Sequence, residues 1–164
     1  MFRKMRRFKQ ELRQAEAQEV LARNTCGIMA CLGDDGYPYT VPLSYVYHDG
    51  HIYFHSAMEG HKIDALRGSE KVSFCVVDQD HVIPEELTTY FRSAVAFGRA
   101  RILEDEAEKR EALTLLGLRY MPGGDDHVRT HIDDAIRRTA VVDIAIEHLT
   151  GKEARELMEQ RRKS

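Results

Sequence analysis

Several things are missing from this sequence, and each absence narrows the function. No apolar stretch approaches the length of a membrane span, and the N-terminus lacks the apolar run of a signal peptide. The expectation is a cytoplasmic protein with no membrane partner. Cysteine is scarce and odd in number (Cys26, Cys31 and Cys75), which argues against a disulfide framework and for a reducing compartment. A net charge of −3 gives no overall field to draw nucleic acid. There is no internal repeat, no low-complexity segment and no Gly-rich dinucleotide fingerprint after any strand. Histidine is plentiful, but His48, His51, His55 and His61 lack helical i, i+4 spacing, and Cys26-x4-Cys31 has no second pair. No metal site is expected.

What is present describes an ordinary globular chain. Its 164 residues, 43% apolar and 31% charged, suit one domain over 1–164 with a core that needs no staples. Residues 1–9 are basic and read as a solvated, partly mobile arm. Residues 10–23 read as a helix with Leu12, Ala15, Val20 and Leu21 on one side. Strands follow at 26–32, 37–47 and 52–56. In the second, Tyr39, Val41, Leu43, Tyr45 and Tyr47 share a face, and Pro42 marks an edge, a bulge or backbone turned away from a neighbour. Further strands fall at 71–77, 90–103 (with a bend at Gly98) and 139–147. Residues 78–89 read as a long polar loop of the kind that covers a site. A helix is expected from Asp105 to Arg119, a short helical segment over 132–137, and a final helix over 151–163 capped by Thr150-x-x-Glu153. Six mostly local, antiparallel strands with few helices favour a closed barrel over an open sheet.

The most informative stretch runs from Tyr53 to Leu66. It reads as a strand end, a corner capped by Ser56-x-x-Glu59, and a helix that places His61 and Lys62 near its N-terminus. Free amides and basic side chains converging there describe a phosphate site; a surface His-Lys pair that binds nothing has the same spacing.

Four pieces in order, covering roughly residues 15–155, resemble the flavin-binding split-barrel proteins related to pyridoxamine 5′-phosphate oxidase, and most of all their 5-nitroimidazole-resistance branch. They are Asp35-Gly36-Tyr37-Pro38-Tyr39-Thr40-Val41-Pro42-Leu43-Ser44-Tyr45, Ile52-Tyr53-Phe54-His55-Ser56-Ala57-x-x-Gly60-His61-Lys62, Phe91-Arg92-Ser93-x4-Gly98-x-Ala100, and the segment from Arg138-Thr139 to Thr150-Gly151-Lys152-Glu153. The resemblance implies a mainly β fold, a six-stranded antiparallel split β-barrel of the FMN-binding type with flanking helices. It also implies a homodimer holding FMN at the subunit interface. Carried over residue by residue, Val41, Pro42, Leu43 and Ser44 lie along the flavin through their backbone, with Tyr45 ending that segment. Ser56, Ala57, Gly60, His61 and Lys62 form the phosphate corner, Ser93 approaches the ring system from either subunit, and His55 is the candidate catalytic residue for electron or proton delivery. The implied activity is an FMN-dependent oxidoreductase acting on a nitroimidazole or another small electron acceptor. A non-catalytic flavin-binding or storage protein and a haem-binding split barrel are the alternatives. The final helix has no clear equivalent of the arginine and histidine elements with which the oxidase recognises pyridoxal phosphate, and His61 stands where the oxidase has arginine.

Overall fold

Alternating apolar residues build strands whose inward side chains meet in one core. The structure, a computed structural model, describes residues 1–163. Seven strands, β1 (Cys26–Leu32), β2 (Pro38–Ser44), β3 (Val46–His48), β4 (His51–Ala57), β5 (Lys71–Ile83), β6 (Thr88–Ile102) and β7 (Thr139–Glu153), form a single antiparallel sheet in the order β2-β1-β5-β6-β7-β4-β3. Its two edge strands, β2 and β3, are consecutive in the chain and separated only by Tyr45. The sheet therefore curls until its edges meet at one residue, giving the mainly β, barrel-type fold flanked by helices. There are seven strands rather than six because the run read as one strand over 37–47 is broken. Tyr45 is pulled out of the ladder: its amide donates to the Thr25 carbonyl (3.2 Å), its carbonyl accepts from the Tyr120 hydroxyl (3.2 Å), and its own hydroxyl donates to Leu21 O (2.7 Å). Its ring is wholly buried, edge-on to Phe74.

Helices α1 (Gln14–Arg23), α2 (His61–Gly68), α3 (Glu106–Tyr120), α4 (Asp125–Ala135) and α5 (Arg155–Lys163) surround the sheet. Ala17, Val20 and Leu21 of α1, and Ile63 and Leu66 of α2, join the barrel core. α3 packs Ala112 outside the barrel against Val141 and Leu103, and α4 packs Val128 and Ile132 against α3. Among the described residues, no helix is long and apolar enough to cross a membrane.

Several boundaries differ from those the sequence suggests. The first helix begins at Gln14, because residues 8–10 form a 3-10 turn and Leu12 N donates to Gly151 O. Residues 78–89 are not a covering loop. β5 continues to Ile83, and a 3-10 turn over Pro84–Glu86 returns the chain into β6. Beyond residue 77 this hairpin is largely open to solvent, so no apolar alternation marks it. α4 spans eleven residues, where only the segment from Ile132 was expected. β7 runs on to Glu153, with Thr150 opposite Val95 and Glu153 opposite Arg92. Thr150-x-x-Glu153 therefore belongs to a ladder, and the last helix starts at Arg155 rather than 151. Gly98 does mark an irregularity, with the register shifting between Phe97 and Gly98. A Cβ there would lie 2.3 Å from the Ala145 carbonyl oxygen.

A bulge at Asp78 turns its carboxylate inward, where Arg23 (2.5 Å), Asn24 (2.8 Å) and Arg92 (3.4 Å) meet it. Arg92 Nε in turn donates to the fully buried Glu153 at 2.9 Å, and Arg161 pairs with both Glu153 and Glu16. This chain of charges ties α1, β5, β6, β7 and α5 together.

Candidate functional site

The corner after β4 is built by strand pairing and one glycine. β4 stays in register with β7 as far as Ala57 opposite Thr139, so Ser56 lies in the ladder opposite Ala140 and does not cap the helix. The N-cap is Gly60, at φ 125° and ψ 165°, a conformation that side-chain-bearing residues rarely adopt. Its carbonyl accepts from the Ile63 and Asp64 amides (2.9 and 3.1 Å). The amides at the start of α2 ahead of Ile63 have no intrahelical acceptor, and this is where His61 and Lys62 sit. The His61 ring stacks on Tyr39, with centroids 4.0 Å apart, and its Nε2 lies 3.7 Å from the carboxylate of the almost fully exposed Asp34. Lys62 is half-buried and has no ion-pair partner among the described residues.

One residue-pair before Ala57 on the same strand face, His55 opens onto a groove of about 350 Å³. Ser44, His55 and Thr139 form its floor. α3 supplies one wall with Leu113, Leu116 and Tyr120, and α4 the other with His127, His131 and Ile132. Burial against these walls, and then the proximity of His131 and Lys62, push the His55 imidazole below its ordinary value. Near pH 7 it is therefore neutral, with one ring nitrogen to donate and one to accept.

The expected site residues divide into groups. Ser44 and His55 share the groove. Ser56, Ala57, Gly60, His61 and Lys62 make the adjoining corner. On edge strand β2, Pro42 and Ser44 are exposed, Val41 is half-buried and Leu43 belongs to the core. Pro42 on an edge leaves no ladder donor missing. Tyr45 does not join them: its ring fills the core, and its amide, carbonyl and hydroxyl are all taken internally. Ser93 lies on β6, opposite Val77 and Lys152, three strands from β2. It shares an outer sheet face with Ile28, Leu32, Val77 and Phe97, and that face is open to solvent, Leu32 and Val77 each being 54% exposed. His127 and His131 are absent from the sequence-based set. Their i, i+4 spacing around the buried Val128 and Ile132 was the signal that could have placed them on one helix face. Among the described residues, no group of three or more His, Cys, Asp or Glu is placed to hold a metal ion.

No curated protein matches the sequence. Solved structures do. An FAD-binding protein from Mesorhizobium loti is 31% identical over 88% of this chain and 96% of its own, with a TM-score of 0.60. A candidate 5-nitroimidazole antibiotic resistance protein from Bacteroides thetaiotaomicron is 23% identical over 87% of this chain and 85% of its own, with a TM-score of 0.71. An FAD- and haem-binding protein from Mycobacterium smegmatis is 20% identical over 89% and 74%, with a TM-score of 0.78. Residues 13–153 match the model of one protein family, covering the barrel from α1 to the end of β7. By that match the chain belongs to the pyridoxamine 5′-phosphate oxidase family.

Proposed function

We propose that this protein is a cytoplasmic FMN-dependent oxidoreductase that reduces small electrophilic aromatic compounds, nitroimidazoles among them, as a homodimer with the flavin at the subunit interface. One observation carries the flavin reading. Among the described residues Lys62 has no ion-pair partner, and it is held beside helix amides that lack acceptors; a phosphate group would satisfy both. FMN supplies the electron-transfer chemistry when bound. The chain's residues do the rest. Lys62 and His61 hold the phosphate, with Ser56, Ala57 and Gly60 shaping the corner, and the exposed Asp34 beside His61 gives way to the stronger anion. The β2 edge from Val41 to Ser44 borders the ring. His55, neutral in its groove, orients a substrate and exchanges a proton at a ring nitrogen. Leu113, Leu116 and Ile132 give the groove beside it an apolar wall. The open outer face of β1, β5 and β6 supports the dimer, since a second copy seated there would cover Ile28, Leu32 and Val77 and bring its own Ser93 toward the interface.

The test is to purify the protein, record its visible spectrum, identify the chromophore released on denaturation, and measure its mass by light scattering. FMN in the supernatant, a dimer, and turnover of a nitroaromatic with a reduced donor support the proposal. Bound FMN without turnover across a donor and acceptor panel would reduce the protein to a flavin carrier. A colourless monomer that fails to bind added FMN would overturn the reading. A second reading, haem binding, is favoured by three histidines, His55, His127 and His131, lining one apolar groove. A Soret band that shifts on substitution of one of them would put it first.

A further inference from the structure

One cavity shares no lining residue with the proposed flavin site. It encloses about 780 Å³ between the N-terminal segment, the start of β6 and α5. Thr139, at the first residue of β7, borders the His55 groove, whereas Ala154, just past the last, borders this cavity. Fifteen strand residues at ~3.3 Å each put the two roughly 50 Å apart along the strand. No single small ligand of one chain reaches both.

The walls have a consistent chemistry. Arg6, Arg7 and Lys9 of the N-terminal segment face Arg155 of α5 across the cavity, and none of the four has an ion-pair partner among the described residues. Four cations outnumber the two carboxylates of the lining, an excess of positive charge in a chain whose net charge is −3, and make a site for an anion. Two phenylalanines add flat apolar surface. Phe8 is 66% exposed and Phe91 half-buried, and the Lys152 ammonium stands 5.1 Å from the centre of the Phe91 ring. Two carboxylates, Glu156 and Glu159, also line the cavity. They would repel a bare polyanion, but they accept hydrogen bonds from hydroxyls and amines, as acidic residues do from ribose in nucleotide sites. Gln10, which also lines the cavity, carries a buried side-chain oxygen without a hydrogen-bond partner among the described residues.

We propose that this cavity is a nucleotide-binding site, taking the phosphates on Arg6, Arg7, Lys9 and Arg155, the base on Phe8 and Phe91, and the ribose at the α5 carboxylates. The phosphate contacts give the binding its strength and its salt dependence. Base stacking on the aromatic faces separates a nucleotide from inorganic phosphate. The cations separate it from a nucleoside.

The test titrates the full-length protein by calorimetry with ADP, and separately with adenosine and with inorganic phosphate, at low and at moderate salt. ADP is expected to bind at least tenfold tighter than either fragment and to weaken as salt is raised. The double variant R6E/R155E, two exposed positions outside the core, should lose ADP binding at least tenfold while melting within a few degrees of the parent. K62A should leave ADP binding unchanged, which separates this site from the phosphate corner. The proposal is overturned if ADP binds no tighter than adenosine or phosphate, if R6E/R155E stays within twofold, or if K62A abolishes the binding. A short RNA that binds tighter than ADP in proportion to its phosphate number would equally overturn it, by showing a surface for polyanions.

Discussion

Replacing Lys62 by alanine should move two properties of the protein in opposite directions. Lys62 occupies the second position of α2, where a cation opposes the positive end of the helix dipole. That repulsion costs about 0.3–1 kcal/mol, so the ligand-free K62A protein should be slightly more stable. At about 2–4 °C per kcal/mol for a chain of this size, its Tm should rise by about 1–4 °C. With FMN bound, the same ammonium makes a charge-assisted contact to phosphate worth about 1.5–3 kcal/mol. Its loss should weaken FMN binding roughly 10- to 150-fold, read by quenching of flavin fluorescence. Lys62→Arg should recover most of the affinity, because it restores the charge and adds donors. A third readout is local: Lys62 helps hold the His55 imidazole low, so in K62A the His55 proton resonances should titrate at higher pH. An affinity within threefold of the parent, or a Tm that falls, would refute the reasoning. The first would mean that the corner does not hold the phosphate, and the second that Lys62 is a structural residue.

Other outcomes follow from the charge chain and the sheet. Glu153→Ala leaves Arg92 with only the 3.4 Å contact to Asp78 and deprives Arg161 of one partner, and should cost about 3 kcal/mol in urea denaturation; a loss under 1 kcal/mol would mean the network is not coupled. Glu16, hydrogen-bonded by Arg13 and then Arg161, has its carboxyl held down to about 2 from an ordinary 4.5. Because the folded value is the lower one, its contribution is complete above 4.5 and disappears as pH falls toward 2. It should amount to about 1–2 kcal/mol after solvent screening, and Glu16→Gln should remove that part of the acid sensitivity. Gly98→Ala would drive a methyl group into the Ala145 carbonyl oxygen, and should cost several kcal/mol or prevent soluble expression, since backbone cannot step aside as a side chain can.

The sequence showed most clearly those features whose cause is local. His61 and Lys62 could be placed near the head of a helix because the apolar periodicity of Ile63, Ala65 and Leu66 marks it, although the cap is Gly60 and not Ser56, which strand pairing with Ala140 holds in the ladder. The N-cap at Asp105 was legible in the same way, and its carboxylate does accept from the Glu108 amide at 2.9 Å. The break at Tyr45 was not legible, because Tyr45 and Tyr47 continue the parity of Tyr39, Val41 and Leu43. Its cause is distant: the Thr25 and Leu21 carbonyls and the Tyr120 hydroxyl. Thr150-x-x-Glu153 has the letters of a helix cap, yet Glu153 is drawn into the barrel wall by Arg92, sixty-one residues earlier. The extension of β5 past Val77 carries no apolar alternation, since water lies on both sides of that hairpin. The site divides on the same line. The corner between β4 and α2 is a sequence-local object, whereas the His55 groove needs α4, which comes seventy residues later and offers few apolar letters.

The single residue between β2 and β3 also sets where this barrel can breathe. Every other strand has a hydrogen-bonded neighbour on each side, so separating any of those pairs breaks a full ladder. Between the two edges there is no ladder to break, only the anchorage of one tyrosine. Amide protons along the free rims of Pro38–Ser44 and Val46–His48 should exchange with solvent well before those of β6, and the opening they report lies next to Ser44 and the groove floor.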